Sequence, residues 1–173
     1  MNKNNIKALP QMSFTAAVKN VLANLTNFNG RARRSEYWWF ILAITIVSVV
    51  CSRLLAAFAT LDVCVSVVLS LLTYAVLARR LNDTGKNGLV LVVIKFILDM
   101  LLEGYMWQSG FMENLSSVNP DTNAIVSAVS NPFFLGLTAI SLIYSLVIFV
   151  FSVLDSNIDA NKYGASPKYV EEN

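Results

Sequence analysis

The chain has 173 residues, of which 55% are hydrophobic and only 14% charged, with a formal net charge of +2 and no histidine. An average soluble domain carries about 25% charged residues, so a chain this apolar is expected to have lipid as its solvent. The lack of histidine excludes His-based acid–base catalysis and a Ser–His nucleophile, no Cys/His metal spacing or Gly-rich phosphate loop occurs, and no catalytic residue, cofactor or metal is expected.

Residues 1–12 are polar and expected to be flexible. The first apolar run begins too late for a secretory signal peptide, so the N-terminus is expected to stay on the mature protein. Ser13 is a cap for an amphipathic helix over 13–28, in which Phe14, Ala17, Val18, Val21, Leu22, Leu25 and Phe28 recur at helical spacing. Such a helix is too polar to span a bilayer; it suits the membrane surface or packing against the spans.

Asn29-Gly30 marks a turn, and Arg31, Arg33 and Arg34 follow as a basic knot. Ser35 is a plausible cap for the next helix, with Glu36 in the first turn where its charge favours the helix dipole. Tyr37, Trp38 and Trp39 then resemble the aromatic belt of a membrane–water interface. Between Tyr37 and Ala78 the only charges are Arg53 and Asp62. That length is about twice what one crossing needs, and it reads as two spans, 38–58 and 63–78, joined at Thr60-Leu61-Asp62. Cys51 and Cys64 fall in this apolar stretch and read as small hydrophobes rather than a disulfide.

Residues 79–88 form a sharp polar break rich in turn formers. Asp83-Thr84-Gly85 within it matches an aspartic-protease triplet, but such an enzyme needs two and the chain has one. A third apolar stretch, 89–107, is an imperfect span because it carries Lys95, Asp99 and Glu103. The Ser/Asn-rich stretch that follows is expected to be a long loop with a short helix around 122–129. Its Asn114-Leu115-Ser116 is a formal glycosylation sequon of little weight. The fourth span is 133–154, and 156–173 is a polar tail.

Charge orients these elements. One side receives Lys3, Lys7, Lys19, Arg31, Arg33, Arg34, Arg79, Arg80, Lys86, Lys162 and Lys168, whereas the connections at 59–62 and 104–132 hold no Lys or Arg. The positive-inside rule makes the N-terminus, the central break and the tail cytoplasmic. The fold expected is all-α: a four-helix membrane bundle with an N-terminal amphipathic surface helix.

Three stretches carry a resemblance. The run from Phe28 through Asn29-Gly30-Arg31-Ala32-Arg33-Arg34-Ser35-Glu36 to Tyr37-Trp38 resembles the opening motif of the domain of unknown function 805 family, the YhaH-like small bacterial inner-membrane proteins. Arg79 to Gly88 is similar to that family's central loop, and Asn161-Lys162-Tyr163-Gly164 with Pro167 to its C-terminal signature. The chain departs from the family where members usually have His, here Asn82, and where they have aromatic residues, here Leu89 and Val90. The 104–132 loop resembles an insertion. The resemblance implies fold and a bacterial inner-membrane location; it implies no activity.

Two constellations remain as candidates. Arg31, Arg33, Arg34, Glu36, Arg79, Arg80, Asp83 and Lys86 gather at the cytoplasmic ends of the first two spans, where guanidinium groups suit anionic lipid or phosphate and the carboxylates would orient them. Arg53, Lys95, Asp99 and Glu103 lie inside apolar stretches, and charges there are functional candidates by default. Lys95, Asp99 and Glu103 share a helix face, and an ion pair between Arg53 and Asp99 or Glu103 is open. The first set favours a non-enzymatic accessory or scaffolding protein engaging anionic lipid headgroups or partner proteins. The second favours a small oligomeric transporter or channel. A membrane enzyme acting on lipids is a weaker third reading, and nucleic acid has no support as a partner.

Overall fold

The computed structural model describes residues 6–171 and is predominantly helical. In chain order the elements are β1 (Ile6–Ala8), α1 (Phe14–Leu22), α2 (Arg34–Leu54), α3 (Ala59–Asp83), α4 (Gly88–Gln108), α5 (Phe111–Ser116), α6 (Thr122–Val129), α7 (Pro132–Val153) and β2 (Tyr169–Glu171). They divide into two compact units, one running to Leu89 and resuming at Phe151, the other spanning Val90–Val150.

In the first unit the Ser13 side chain caps α1, accepting from the Ala16 N–H at 3.3 Å as the sequence predicts. The helix ends at Leu22, earlier than the expected 28. Asn24 turns its side chain back onto the Asn20 carbonyl at 2.9 Å, the local competition with the helix ladder that asparagine favours. Ala17 and Val21 on the apolar stripe are fully buried. Val21 forms a small core with Ala32, Phe40 and Val76, flanked by Leu25, Tyr37, Ile44 and Leu72. The amphipathic helix therefore puts this stripe against α2 and α3.

The break expected at 79–88 is mostly helix. α3 continues through Arg79, Arg80, Asn82 and Asp83, and only residues 84–87 are left to turn. Arg80 pairs with Asp83 at i,i+3, and guanidinium charge at a helix C-terminus suits the dipole. Gly85 then takes the left-handed conformation, φ +79°, the usual way to stop a helix. Gly88 opens α4 so close to α3 that an added Cβ would lie 2.0 Å from the Ala78 carbonyl oxygen.

The sequence reading has no strands, yet residues 6–8 of the expected flexible N-terminus pair antiparallel with the tail, Ile6 opposite Glu171 and Ala8 opposite Tyr169. The Leu9 N–H extends the pairing to the Lys168 carbonyl at 2.8 Å. Residues 1–5 of that N-terminus lie outside the described residues.

In the second unit the predicted helix at 122–129 is present as α6, capped by Asp121, whose side chain accepts from the Asn123 and Ala124 N–H groups. The rest of the expected loop holds a further helix, α5. Tyr105 donates to the Ala128 carbonyl at 2.9 Å and stacks on Phe134 with centroids 5.1 Å apart. Tyr144 of α7 donates to the Leu91 carbonyl of α4 at 2.7 Å.

Among the described residues, three helices are long and apolar enough to cross a membrane: Arg34–Leu54, Thr60–Asp83 and Pro132–Val153. Only 11%, 28% and 17% of their most apolar windows are buried, which leaves lipid to cover the rest. The fourth expected span, 89–107, corresponds to α4. At 21 residues it matches α2 in length, but its three charges keep it out of that set. Cys51 and Cys64 are both free thiols.

Candidate functional site

The polar residues at the start of α2 and the end of α3 separate into a sealed interior and an exposed rim. At the centre of the interior lies Asp83, fully buried. Its Oδ1 accepts from Arg31 Nε at 2.8 Å and its Oδ2 from Arg80 Nη1 at 2.5 Å. One carboxylate between two guanidiniums leaves a positive excess, which backbone carbonyls offset. Arg31 also donates to the carbonyls of Asn157 at 2.5 Å, Asp159 at 2.9 Å and Gly164 at 3.2 Å. Arg80 donates to Ser152 at 3.0 Å, to Ala32 at 3.4 Å and to Leu154. The two arginines thus tie the end of α3 to the chain leaving α7. Carbonyls at a helix C-terminus lack helical partners and carry negative partial charge, which suits this role.

Asn82 completes the knot. Its side-chain amide donates to the carbonyls of Phe28 at 3.0 Å and Gly30 at 3.1 Å, and its Oδ1 accepts from the Gly88 N–H at 2.9 Å. Its own carbonyl accepts from Asn161 Nδ2 at 2.9 Å. Position 82 therefore joins the 28–30 turn, the start of α4 and the tail in one residue.

The second buried pair is Glu36 with Arg79, 3.3 Å apart and 3% and 5% exposed. Arg79 Nε and Nη2 have no hydrogen-bond partner among the described residues. Arg33, also buried, donates to the Leu9 carbonyl at 3.1 Å.

The rim holds the remaining cations. Arg34 is 45% exposed; it donates to the Val153 carbonyl and lies 3.3 Å from Asp155. Lys168 reaches the same carboxylate at 2.6 Å. Burial acts to raise the Asp155 pKa, but hydrogen bonds from Lys168 and the Ser156 N–H, with the Arg34 charge, hold it below the usual carboxylate value. Lys168 is raised in turn by Asp155 and the Tyr169 hydroxyl. Lys86 is exposed, its ammonium 4.9 Å from the centre of the Phe151 ring.

Two cavities flank this rim. The smaller, about 110 Å³, is lined by Leu9, Gln11, Arg33, Arg34, Ser35 and Lys168. The larger, about 540 Å³, shares Gln11, Arg34 and Ser35 with it and continues along Trp38, Trp39 and Leu42.

Of the four charges expected within apolar stretches, Arg53 belongs to the first unit and Lys95, Asp99 and Glu103 to the second. Lys95 pairs with Asp99 one turn along α4 at 3.0 Å. Arg53 and Glu103 are exposed.

Sequence reasoning grouped the eight candidates at the ends of the first two expected spans but did not show their division. It used Lys168 only as a topological charge and overlooked Asp155, which two cations share. It noticed Asn161-Lys162-Tyr163-Gly164 only through a resemblance. In the fold those residues make a tight turn, Asn161 and Gly164 bonding each other's backbone at 3.1 and 2.9 Å, and this turn presents Gly164 to Arg31 and Asn161 to Asn82. No group of three or more potential metal ligands exists among the described residues.

Compared with known proteins, residues 25–165 match the family model described as "Protein of unknown function (DUF805)". The match spans the whole Arg31–Asp83–Arg80 network and stops short of Lys168. No curated protein matches, and no solved structure does.

Proposed function

The chain belongs to the DUF805 family, whose function is unknown, and on that premise we propose a bacterial inner-membrane protein that engages anionic lipid headgroups at its cytoplasmic face as a non-enzymatic accessory or scaffold. Four crossings and cytoplasmic termini are part of this reading. The β1–β2 pairing supports it, because strands that hydrogen-bond to each other share one side of the membrane. An even number of crossings must then separate them.

The ends of the helices support α4 as the fourth crossing. α4 starts against the last turns of α3, and α7 finishes where Arg80 binds the carbonyls of Ser152 and Leu154. If α7 crosses, its first residue lies on the far side, and α4 is the helix that carries the chain there. At about 1.5 Å per residue it reaches about 30 Å, the thickness of the hydrocarbon core. The Lys95–Asp99 pair lowers the cost of its charges in lipid. The distribution of Lys and Arg puts the termini in the cytoplasm.

The observation that carries the lipid reading is the rim: Arg34, beside Trp38 and Trp39, and Lys168 stand partly exposed, with Asp155 as their shared carboxylate. Arg31, Arg80 and Asp83 are closed in on one another, so they support the platform and do not meet lipid. The test is lipid retention by the full chain in mild detergent. Phosphatidylglycerol should be kept about tenfold better than phosphatidylcholine of the same acyl chains, given about 1 kcal/mol per basic residue near an anionic surface. Equal retention contradicts the reading. Nothing in the geometry of Arg53, Lys95, Asp99 and Glu103 favours a transport pathway over this.

A further inference from the structure

Resting on that reading, we infer that one anionic glycerophospholipid seats at the start of α2, with its phosphate between Arg33, Arg34 and Lys168 and one acyl chain along Trp38, Trp39 and Leu42.

Shape is the first support. The two cavities share Gln11, Arg34 and Ser35, so a polar cleft adjoins an apolar groove. The groove, about 540 Å³, falls within the usual range for small-ligand sites. Its axis follows the first turns of a membrane-spanning helix, where a lipid's headgroup and chain part company. A headgroup alone would leave the groove unfilled, and a simple hydrocarbon would leave the polar cleft unfilled.

Electrostatics is the second. Three cations line the polar cleft and no carboxylate does. α2 has no side-chain cap, so N–H groups of its first turn add their positive end to the same place. The net field there is positive even after Asp155 is counted.

Rigidity is the third. Trp39 is held by its indole N–H on the Met12 carbonyl at 3.0 Å and by the edge of Phe14 at 5.8 Å. Arg33 is fixed on Leu9, and the Met12 N–H anchors Ser35 at 3.3 Å. A preformed wall binds without the cost of ordering itself.

Asp155 is the competitor. It pairs with both Arg34 and Lys168, so an incoming phosphate must displace it or share its partners. Removing its charge therefore strengthens lipid binding under this account, whereas a merely structural contact would give the opposite sign.

The experiment is native mass spectrometry of the full chain in mild detergent, titrated with phosphatidylglycerol, phosphatidylcholine or glycerol phosphate. One phosphatidylglycerol per chain is expected. The double variant Arg34→Gln/Lys168→Gln should weaken it by about tenfold or more, and Asp155→Asn should strengthen it about fivefold. Leu42→Ser should weaken it by shortening the groove's apolar wall, and glycerol phosphate should fail to compete. Undiminished anionic retention in the double variant overturns this seat while leaving the proposed function standing. Weakened retention in Asp155→Asn, or full displacement by glycerol phosphate, also overturns it. No anionic preference in the unmodified chain defeats the proposed function itself.

Discussion

Arg31 Nε donates to Asp83 Oδ1 across 2.8 Å, joining residues 52 apart in sequence, with both side chains at most 1% exposed. The same carboxylate holds Arg80. Replacing Asp83 by Asn keeps the shape and removes the charge, leaving two buried guanidiniums without a counter-ion. Breaking a buried pair this way costs about 3–5 kcal/mol, a large part of a typical protein's 5–15 kcal/mol. Thermal unfolding in detergent should report a sharp fall in Tm. An unchanged Tm would show that the carbonyls alone satisfy the arginines.

Two glycines should respond with opposite signs. A Cβ on Gly88 would lie 2.0 Å from the Ala78 oxygen and 2.7 Å from its carbonyl carbon, both backbone atoms that cannot swing away. Gly88→Ala should therefore separate α4 from α3 and lower the yield of folded protein severely. Gly104, inside α4, has nothing within 4 Å of its Cβ position. Gly104→Ala should be neutral or stabilising by about 0.5–1 kcal/mol, the usual helical gain over glycine. Paired melting curves check both.

The contact of Asp155 with Lys168 predicts a broad pH plateau with two shallow limbs. Asp155 is depressed in the fold, so its contribution is present above the unfolded carboxylate value, about 3.9, and is lost as pH falls through the folded one. Lys168 is raised, so its contribution is present below about 10.4 and is lost as pH rises through the folded value. The carboxylate is 46% exposed, and such pairs contribute about 1 kcal/mol or less. Asp155→Asn should flatten both limbs of a Tm-against-pH curve; limbs of unchanged depth would assign them to other groups.

Charges within α4 should behave as a pair. Asp99→Leu leaves the Lys95 ammonium, now 3.0 Å from its carboxylate, without that partner in an apolar helix. An uncompensated charge in lipid costs about 2.5–3.5 kcal/mol on insertion scales. The double variant Lys95→Leu/Asp99→Leu removes both charges and should express and melt better than Asp99→Leu. A double variant worse than the single would mean that Lys95 is needed for another contact.

Much of the fold was legible because it is written in runs. The apolar lengths of α2, α3 and α7, the Ser13 cap and the helix at 122–129 all follow from local pattern. The end of α3 was not legible: Arg79, Arg80, Asn82 and Asp83 look like a loop until the partners that bury them are known, and those partners lie in the 28–36 and 152–164 segments. The strand pair was hidden for a similar reason. Three residues at each end form a ladder only once the tail has been folded back, and three residues carry too little periodicity to announce it. The division of the arginines into interior and rim depends on backbone carbonyls, which have no letter in the sequence. Asp155 and the place of Lys168 at the rim were not legible, because their meeting with Arg34 is set by the path of the tail.

The proposed topology puts the Arg31–Asp83 knot, the central turn and the tail on one face of the membrane and residues 109–131 on the other. With Cys51 and Cys64 replaced by Ala, single cysteines at Lys86, Val118 or Lys162 can be probed with a membrane-impermeant thiol reagent on intact spheroplasts. Val118 is 96% exposed, and Lys86 and Lys162 are exposed as well. Val118→Cys should label at once, and Lys86→Cys and Lys162→Cys only after lysis. Labelling of Val118→Cys and Lys86→Cys from the same side would contradict the crossing of α4 and the account built on it.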